Sequence, residues 1–200
     1  MEHPEKVVLD GDDMRRTLVR IAHEIVEKNV EPEALAIVGI HRRGALLAAR
    51  IKDLVDDLLA AEVPAGALDI SFYRDDLASR PEQPVVHASH IDFPLEDRTI
   101  VIVDDVLYTG RTARAAIEAL FGYGRPARVQ LAVLADRGHR ELPIRPDYVG
   151  KNPPTARGER VNVRVEELDG VDEVTISSPA EAGTILASPV RAGADGDGRS

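Results

Sequence analysis

Residues 100–113 read Ile-Val-Ile-Val-Asp-Asp-Val-Leu-Tyr-Thr-Gly-Arg-Thr-Ala. Four β-branched apolar residues in a row, Ile100 to Val103, suit a strand buried on both faces, because a half-exposed strand would alternate with polar residues. Two adjacent acids follow directly. From Thr112 to Leu120 the pattern becomes helical, and Gly122 and Gly124 close it. A buried strand passing through a short glycine-containing loop into a helix is the unit of a parallel α/β sheet, whose ligands bind beyond the carboxyl ends of the strands.

The residues at that strand end carry a definite chemistry. Adjacent carboxylates such as Asp104 and Asp105 repel and lose hydration unless they meet cations or hydroxyl donors. A ribose diol and a magnesium ion supply both. The loop Leu107-Tyr108-Thr109-Gly110-Arg111-Thr112 opens the helix, where backbone N–H groups and the helix dipole favour a phosphate dianion. Gly110 permits a turn closed to other residues, Thr109 and Thr112 add hydroxyls, and Thr112 also suits an N-cap. A capped helix after two solvated acids would explain Thr112 alone, but not the whole arrangement. No G-x-x-x-x-G-K-[ST] occurs, and Gly122-Tyr123-Gly124 lacks the third glycine of a dinucleotide fingerprint.

Outward from this segment the same units repeat. Met14, Leu18, Ile21, Ile25 and Val26 recur at helical spacing between Asp12 and Asn29. Leu35 to Ile40 reads as a second doubly buried strand, followed by a charged turn, His41-Arg42-Arg43-Gly44, and a helix over Ala45 to Ala60. Leu68 to Tyr73 alternates like a strand. Arg74 to Pro84 is polar and holds Pro81 and Pro84, which predicts a mobile excursion before Val85-Val86 resumes extended structure. Val129 to Leu134, Val161 to Val165 and Glu173 to Ile176 supply later strands. This order predicts a central parallel sheet flanked by helices, with a small hood or flap. One domain is expected over residues 1–178, and residues 179–200, rich in Ala, Gly, Ser, Pro and Asp, are expected to be disordered.

Composition excludes several functions. Two hundred residues, 44% apolar and 30% charged, suffice for one core. The absence of cysteine excludes disulfides, thiolate zinc sites and cysteine nucleophiles. With no long apolar run and no basic-then-apolar N-terminal segment, a soluble cytoplasmic protein without membrane partners is expected. A net charge of -10 argues against indiscriminate coating of nucleic acid, yet residues 125–164 hold nine Lys or Arg against four acids.

Val101 to Ala113 resembles the phosphoribosyl diphosphate motif of the type I phosphoribosyltransferases. That resemblance implies the fold of this family, with Asp104 and Asp105 on the ribose hydroxyls and Tyr108, Thr109, Gly110, Arg111 and Thr112 around the 5′-phosphate. It also implies Mg2+ bound with phosphoribosyl diphosphate, held through water, diphosphate and ribose oxygens with no direct protein ligation. His41-Arg42-Arg43-Gly44 matches the family's diphosphate loop in position. Arg43 is the expected ligand there, while Arg42 departs from the small hydroxyl residue found at its place. For His41 a plain basic surface turn explains the residue equally well.

Further segments, Arg20 to Glu24, Ser71 to Leu77, Gln130 to Ile144 and Tyr148 to Thr155, resemble a narrower family, the pyrimidine operon attenuation regulators that also have uracil phosphoribosyltransferase activity. The likeness covers about residues 6–176. It implies transfer of ribose 5-phosphate from phosphoribosyl diphosphate to uracil, giving UMP and diphosphate. A flap from Arg74 to His90, with Tyr73, Arg74 and Asp75 at its start, would close over the substrate, and the base pocket would lie near Asp136, Arg137 and Val161. The resemblance further implies UMP-promoted binding of a hairpin in the pyrimidine operon mRNA leader, and a homo-oligomer, a dimer or larger. Arg15, Arg16, Arg20, His23, His139, Arg140 and Lys151 could form one RNA-binding face, although a solvated basic surface or a dimer contact accounts for the same charges. With 4% aromatic residues, such an RNA would be read by shape and phosphate rather than by stacking. The motif at 101–113 does not choose the base, so a purine or orotate enzyme without RNA binding stays open; the downstream segments favour uracil.

Overall fold

The computed structural model describes residues 5–71 and 89–178. The expected flap residues Tyr73, Arg74 and Asp75, the strand at Val85-Val86 and the tail 179–200 lie outside the described residues. Eight strands and four α-helices follow in order: β1 (Glu5–Leu9), α1 (Gly11–Lys28), β2 (Leu35–Ile40), α2 (Arg43–Leu59), β3 (Ala65–Leu68), β4 (Thr99–Leu107), α3 (Arg111–Phe121), β5 (Arg128–Asp136), β6 (Tyr148–Lys151), β7 (Arg160–Arg164), α4 (Glu166–Asp169) and β8 (Glu173–Ser177). No helix among the described residues is long and apolar enough to cross a membrane.

Five strands form an entirely parallel sheet in the order β3-β2-β4-β5-β6. All six residues of β2 are buried, as are Ile100 to Asp104 of β4, because helices cover both faces. On one face Leu35, Ile37, Val101 and Val103 pack with α1 (Met14, Leu18, Ile21, Ile25) and α2 (Leu47, Ile51, Val55). On the other, Val38, Ile40, Ile100 and Ile102 pack with the alanine-rich stripe of α3, Ala113, Ala116 and Ala119. Small side chains let this helix lie close to the sheet.

The first core encloses one polar cluster. Asn29 at the end of α1 donates through Nδ2 to the Ile25 carbonyl (2.8 Å), to Gln130 Oε1 (3.0 Å) and to the Tyr148 hydroxyl (3.1 Å). Tyr148, fully buried, in turn donates to Gln130 Oε1 at 3.0 Å, and burial pushes its phenol up. Buried polar groups persist where they satisfy one another, and this trio fastens α1 to β5 and β6.

A second, antiparallel sheet, β1-β8-β7, forms the hood with α4. Leu9, Val163, Val165 and Val174 bury it in the first core with α1 and α2, and ion pairs tie it further. Arg50 donates to Glu167 (2.7 and 3.0 Å) and to Asp172 (2.9 Å twice), while Arg164 joins Glu5 (2.8 Å) to Glu173.

The structure moves several elements from their expected places. β3 is Ala65–Leu68 rather than Leu68 to Tyr73. Asp69 ends it, since its Oδ1 accepts from the Ser71 amide (2.8 Å) and hydroxyl (2.5 Å), a side-chain turn that competes with the ladder. β4 runs past Val103 to Leu107, pairing Asp104 with Val133 and Leu107 with Asp136, so the acid pair lies within the strand rather than after it. The N-cap of α3 is Gly110, not Thr112; its φ of 93° turns the chain into the helix, and no side-chain bond caps it. β1 and β6 carried no distinct signal: β1 is mostly exposed, and β6 is four residues long.

Candidate functional site

Parallel strands bring their carboxyl ends to one rim, and here β2 and β4 are neighbours whose following helices leave on opposite faces. No helix can close over the gap between them, so topology opens a crevice at that point. A cavity of about 410 Å3 occupies it. Its walls are His41, Arg42, Arg43 and Gly44 after β2, Asp69 and Ser71 after β3, Asp104 and Asp105 of β4, and Thr112 of α3.

Each wall is held by local structure. Asp104, 7% exposed, accepts through Oδ1 from the Asp105 amide (2.9 Å), and Asp105 Oδ1 accepts from the Val106 amide (2.8 Å). α2 and α3 both begin at the cavity, and neither has a side-chain N-cap, in contrast to α1, where Asp10 takes the Asp13 amide at 2.8 Å. First-turn N–H groups without a capping side chain form an anion-binding end. Gly44 packs so closely on β4 that a Cβ there would lie 2.6 Å from the Val103 carbonyl oxygen. The His41–Arg42 peptide is cis.

Arg43 forms a two-point ion pair with Asp169 of α4, at 2.8 Å from Nη2 and 3.2 Å from Nε. The loop 107–112 is braced from the far side: Thr109 oxygen accepts the Glu141 and Leu142 amides (2.9 and 3.0 Å), and Arg111 pairs with Glu141 at 2.8 Å. Arg137, 9% exposed, lies over the Tyr108 ring at 4.1 Å and donates to the Ala156 and Arg157 carbonyls. Its Nε is buried without a hydrogen-bond partner. Val161 sits in β7 opposite Ile176 and packs against the first core, so Arg137 reaches the segment leading into β7 through the backbone of 156–157.

The basic residues expected on one face lie on two sides of the edge strand β6. On α1, Arg16 pairs with Asp13 (2.6 Å), and Arg20 pairs with Glu24 while donating to the Val149 and Gly150 carbonyls (2.9 and 2.7 Å). His23 lies exposed on the same helix and Lys151 on β6. His139 and Arg140 line a separate hollow of about 610 Å3 with Val149 and Asn152. Arg140 is engaged there by Asp136 (2.6 Å) and by the Tyr108 and Ile144 carbonyls (2.9 Å each), and His139 Nε2 meets the Thr155 carbonyl at 2.8 Å. Sequence reading passed over Asp69, Ser71 within the cavity, Glu141 and Asp169. Nothing local marks Asp169, whose partner is 126 residues away.

Residues 7–167 match the family model described as the phosphoribosyl transferase domain. Two curated relatives, both called bifunctional protein PyrR, come from Roseiflexus sp. (60% identical over 86% of this chain and 94% of the relative) and Deinococcus radiodurans (53% identical over 90% and 99%). The chain belongs to the PyrR family of phosphoribosyltransferases. Among solved structures, the hypoxanthine phosphoribosyltransferases of Staphylococcus aureus (TM-score 0.64, 20% identity, 87% of this chain and 93% of that one) and Trypanosoma cruzi (TM-score 0.65, 19%, 87% and 97%) share its fold. The type I architecture expected from residues 100–113 is thus the one found. The matched region includes the starts of α2 and α3 and the acid pair.

Proposed function

We propose that this chain is a uracil phosphoribosyltransferase that also regulates a pyrimidine operon by UMP-dependent binding of its mRNA leader. The observation that carries the reading is identity above half with PyrR proteins over nearly their full lengths, supported by a cavity lined by Asp104, Asp105, Arg42, Arg43 and the starts of two helices. In the reaction the bond from C1′ of the donor to diphosphate breaks, a bond from C1′ to uracil N1 forms, and the N1 proton is lost. The products are UMP and diphosphate.

Within the cavity, Asp104 and Asp105 receive the ribose hydroxyls and place negative charge beside the oxocarbenium-like sugar. Tyr108, Thr109, Gly110, Arg111 and Thr112 enclose the 5′-phosphate at the start of α3. Arg42, Arg43 and Gly44, at the start of α2, receive the diphosphate. Arg137, which lines the hollow beside β6 and not the donor cavity, and Val161 of β7 are the proposed border of the base. Phosphoribosyltransferases use Mg2+ with this donor. Two carboxylates on the cavity wall suit a magnesium ion held mainly through water and diphosphate oxygens, and among the described residues no group of three His or acids could cage one. The ion supplies charge neutralisation to the leaving group.

Labelled phosphoribosyl diphosphate incubated with uracil, hypoxanthine or orotate tests the enzyme, and UMP is the expected product. No UMP alongside a purine or orotate nucleotide would replace uracil with that base. For RNA, gel shifts of the pyrimidine operon leader should show retention that rises with UMP and falls steeply with salt. Arg16, Arg20, His23, His139, Arg140 and Lys151 are the proposed contacts, and a homo-oligomer of two or more copies, read by sedimentation, would double the basic surface.

A further inference from the structure

Arg43 has two claims on its guanidinium. It lines the cavity, and its Nε and Nη2 edge is taken by Asp169. That edge is the fork that matches a carboxylate or a phosphate in two-point geometry, and it holds one such group at a time. Asp169 is firmly placed to keep it: Oδ2 also accepts the Val165 amide at 2.9 Å, which fixes the carboxylate at the end of α4. The Arg43 guanidinium in turn holds the Asp169 carboxyl below the usual range, so the acid is charged at neutral pH.

The hood does not depend on this pair for its attachment. Arg50, two turns further along α2 and not on the cavity wall, grips Glu167 and Asp172 with four bonds of 2.7–3.0 Å. One arginine anchors the hood, and the other faces the cavity with a replaceable partner.

Resting on the reading of this cavity as the donor site, we propose that Asp169 is a positioning residue: its carboxylate competes with the donor's diphosphate for Arg43. Diphosphate binding transfers the fork from Asp169 to the ligand. After transfer, the returning carboxylate displaces diphosphate and repels it, which speeds its release. Asp169 therefore weakens binding of the leaving group and quickens turnover, acting through Arg43 without touching substrate.

The test is calorimetric binding of inorganic diphosphate, with magnesium, to the full chain, paired with steady-state kinetics. Asp169→Asn keeps an oxygen for the Val165 amide but removes the charge; it should bind diphosphate about fivefold more tightly, the scale of one partly exposed ion pair. Its KM for phosphoribosyl diphosphate and its kcat should both fall. Asp169→Glu, which restores the charge, should return both constants toward wild type. Glu167→Gln, which weakens only the Arg50 clamp, should lower the melting temperature and leave diphosphate affinity unchanged. If Asp169→Asn does not fold, Asp169→Ser, which also retains an acceptor, takes its place. Unchanged or weaker diphosphate binding by the neutral variant overturns the competition, provided wild type binds. Wild type that neither binds diphosphate nor makes UMP removes the donor-site reading itself, and the competition with it.

Discussion

Gly44 offers the sharpest perturbation of the donor site. A Cβ at this position would lie 2.6 Å from the Val103 carbonyl oxygen and 3.1 Å from Asp104 Cα, whereas ordinary contact begins at 3.4 Å. Both atoms are backbone, so neither can swing aside. Gly44→Ala must therefore part the start of α2 from β4 by about 0.8 Å, the difference between the first and last of those distances. That displacement moves Arg43 relative to Asp104 across the cavity, the two walls proposed to hold opposite ends of the breaking bond. Misplacement near 1 Å costs on the order of 100-fold in a positioned reaction. Overpacking of this kind costs about 1–3 kcal/mol of stability. Steady-state UMP formation, read beside thermal unfolding, should show kcat/KM down about 100-fold with the protein still folded at assay temperature. Activity within threefold of wild type, with a lowered melting point, would show that the spacing of loop and strand does not set the donor's geometry.

Three other outcomes follow from the same contacts. Asp105→Asn preserves shape and an acceptor for the Val106 amide, so it should cut kcat by about 100-fold or more while circular dichroism stays unchanged; normal turnover would remove Asp105 from the site. Asn29→Leu deletes the donor that serves Ile25, Gln130 and Tyr148 and should cost about 2–4 kcal/mol in urea unfolding, because buried acceptors are left unmet; a loss under about 0.5 kcal/mol would show that the trio is not cooperative. Stability should also fall in acid. Arg50 holds Glu167, Arg43 holds Asp169 and Arg164 holds Glu5 below their ordinary carboxylate range. A depressed folded-state pKa contributes stability that is present above the unfolded value and is lost as pH falls through the folded one. The melting temperature should therefore be flat from about pH 8 to 5 and drop below about pH 4; a curve that stays flat to pH 3 would show that the hood ion pairs contribute nothing.

Legibility in the sequence followed the range of the interactions. The doubly buried strands were plain because burial on both faces leaves an unbroken apolar run, as at Leu35 to Ile40, whose bounds match β2 residue for residue. The loop at 107–112 was plain as a link between strand and helix because its parts are contiguous. β3 was placed three residues late at its start and five late at its end, because the Asp69 turn, not hydrophobicity, ends it. Thr112 looked like a cap by residue type, but a glycine at φ 93° did the turning. The hood was half visible: β7 and β8 alternate, yet β1 shows four partly or fully exposed residues and becomes a strand only through its partner. Asp169 could not have been found, because its meaning lies in Arg43, which only the folded chain brings near.

β1 and β8 are joined across almost the whole chain, with Glu5 opposite Ser177, 172 residues later. On a ribosome adding about 5–20 residues per second, the first strand waits roughly 10–30 s for the last. The central sheet can assemble during that interval, since its strands lie between the two. The hood cannot, so it is the final piece of the molecule to be set. Until then β1 presents an unpaired edge, and the charges of Glu5 and Lys6 at its exposed start discourage neighbouring nascent chains from taking the place reserved for β8.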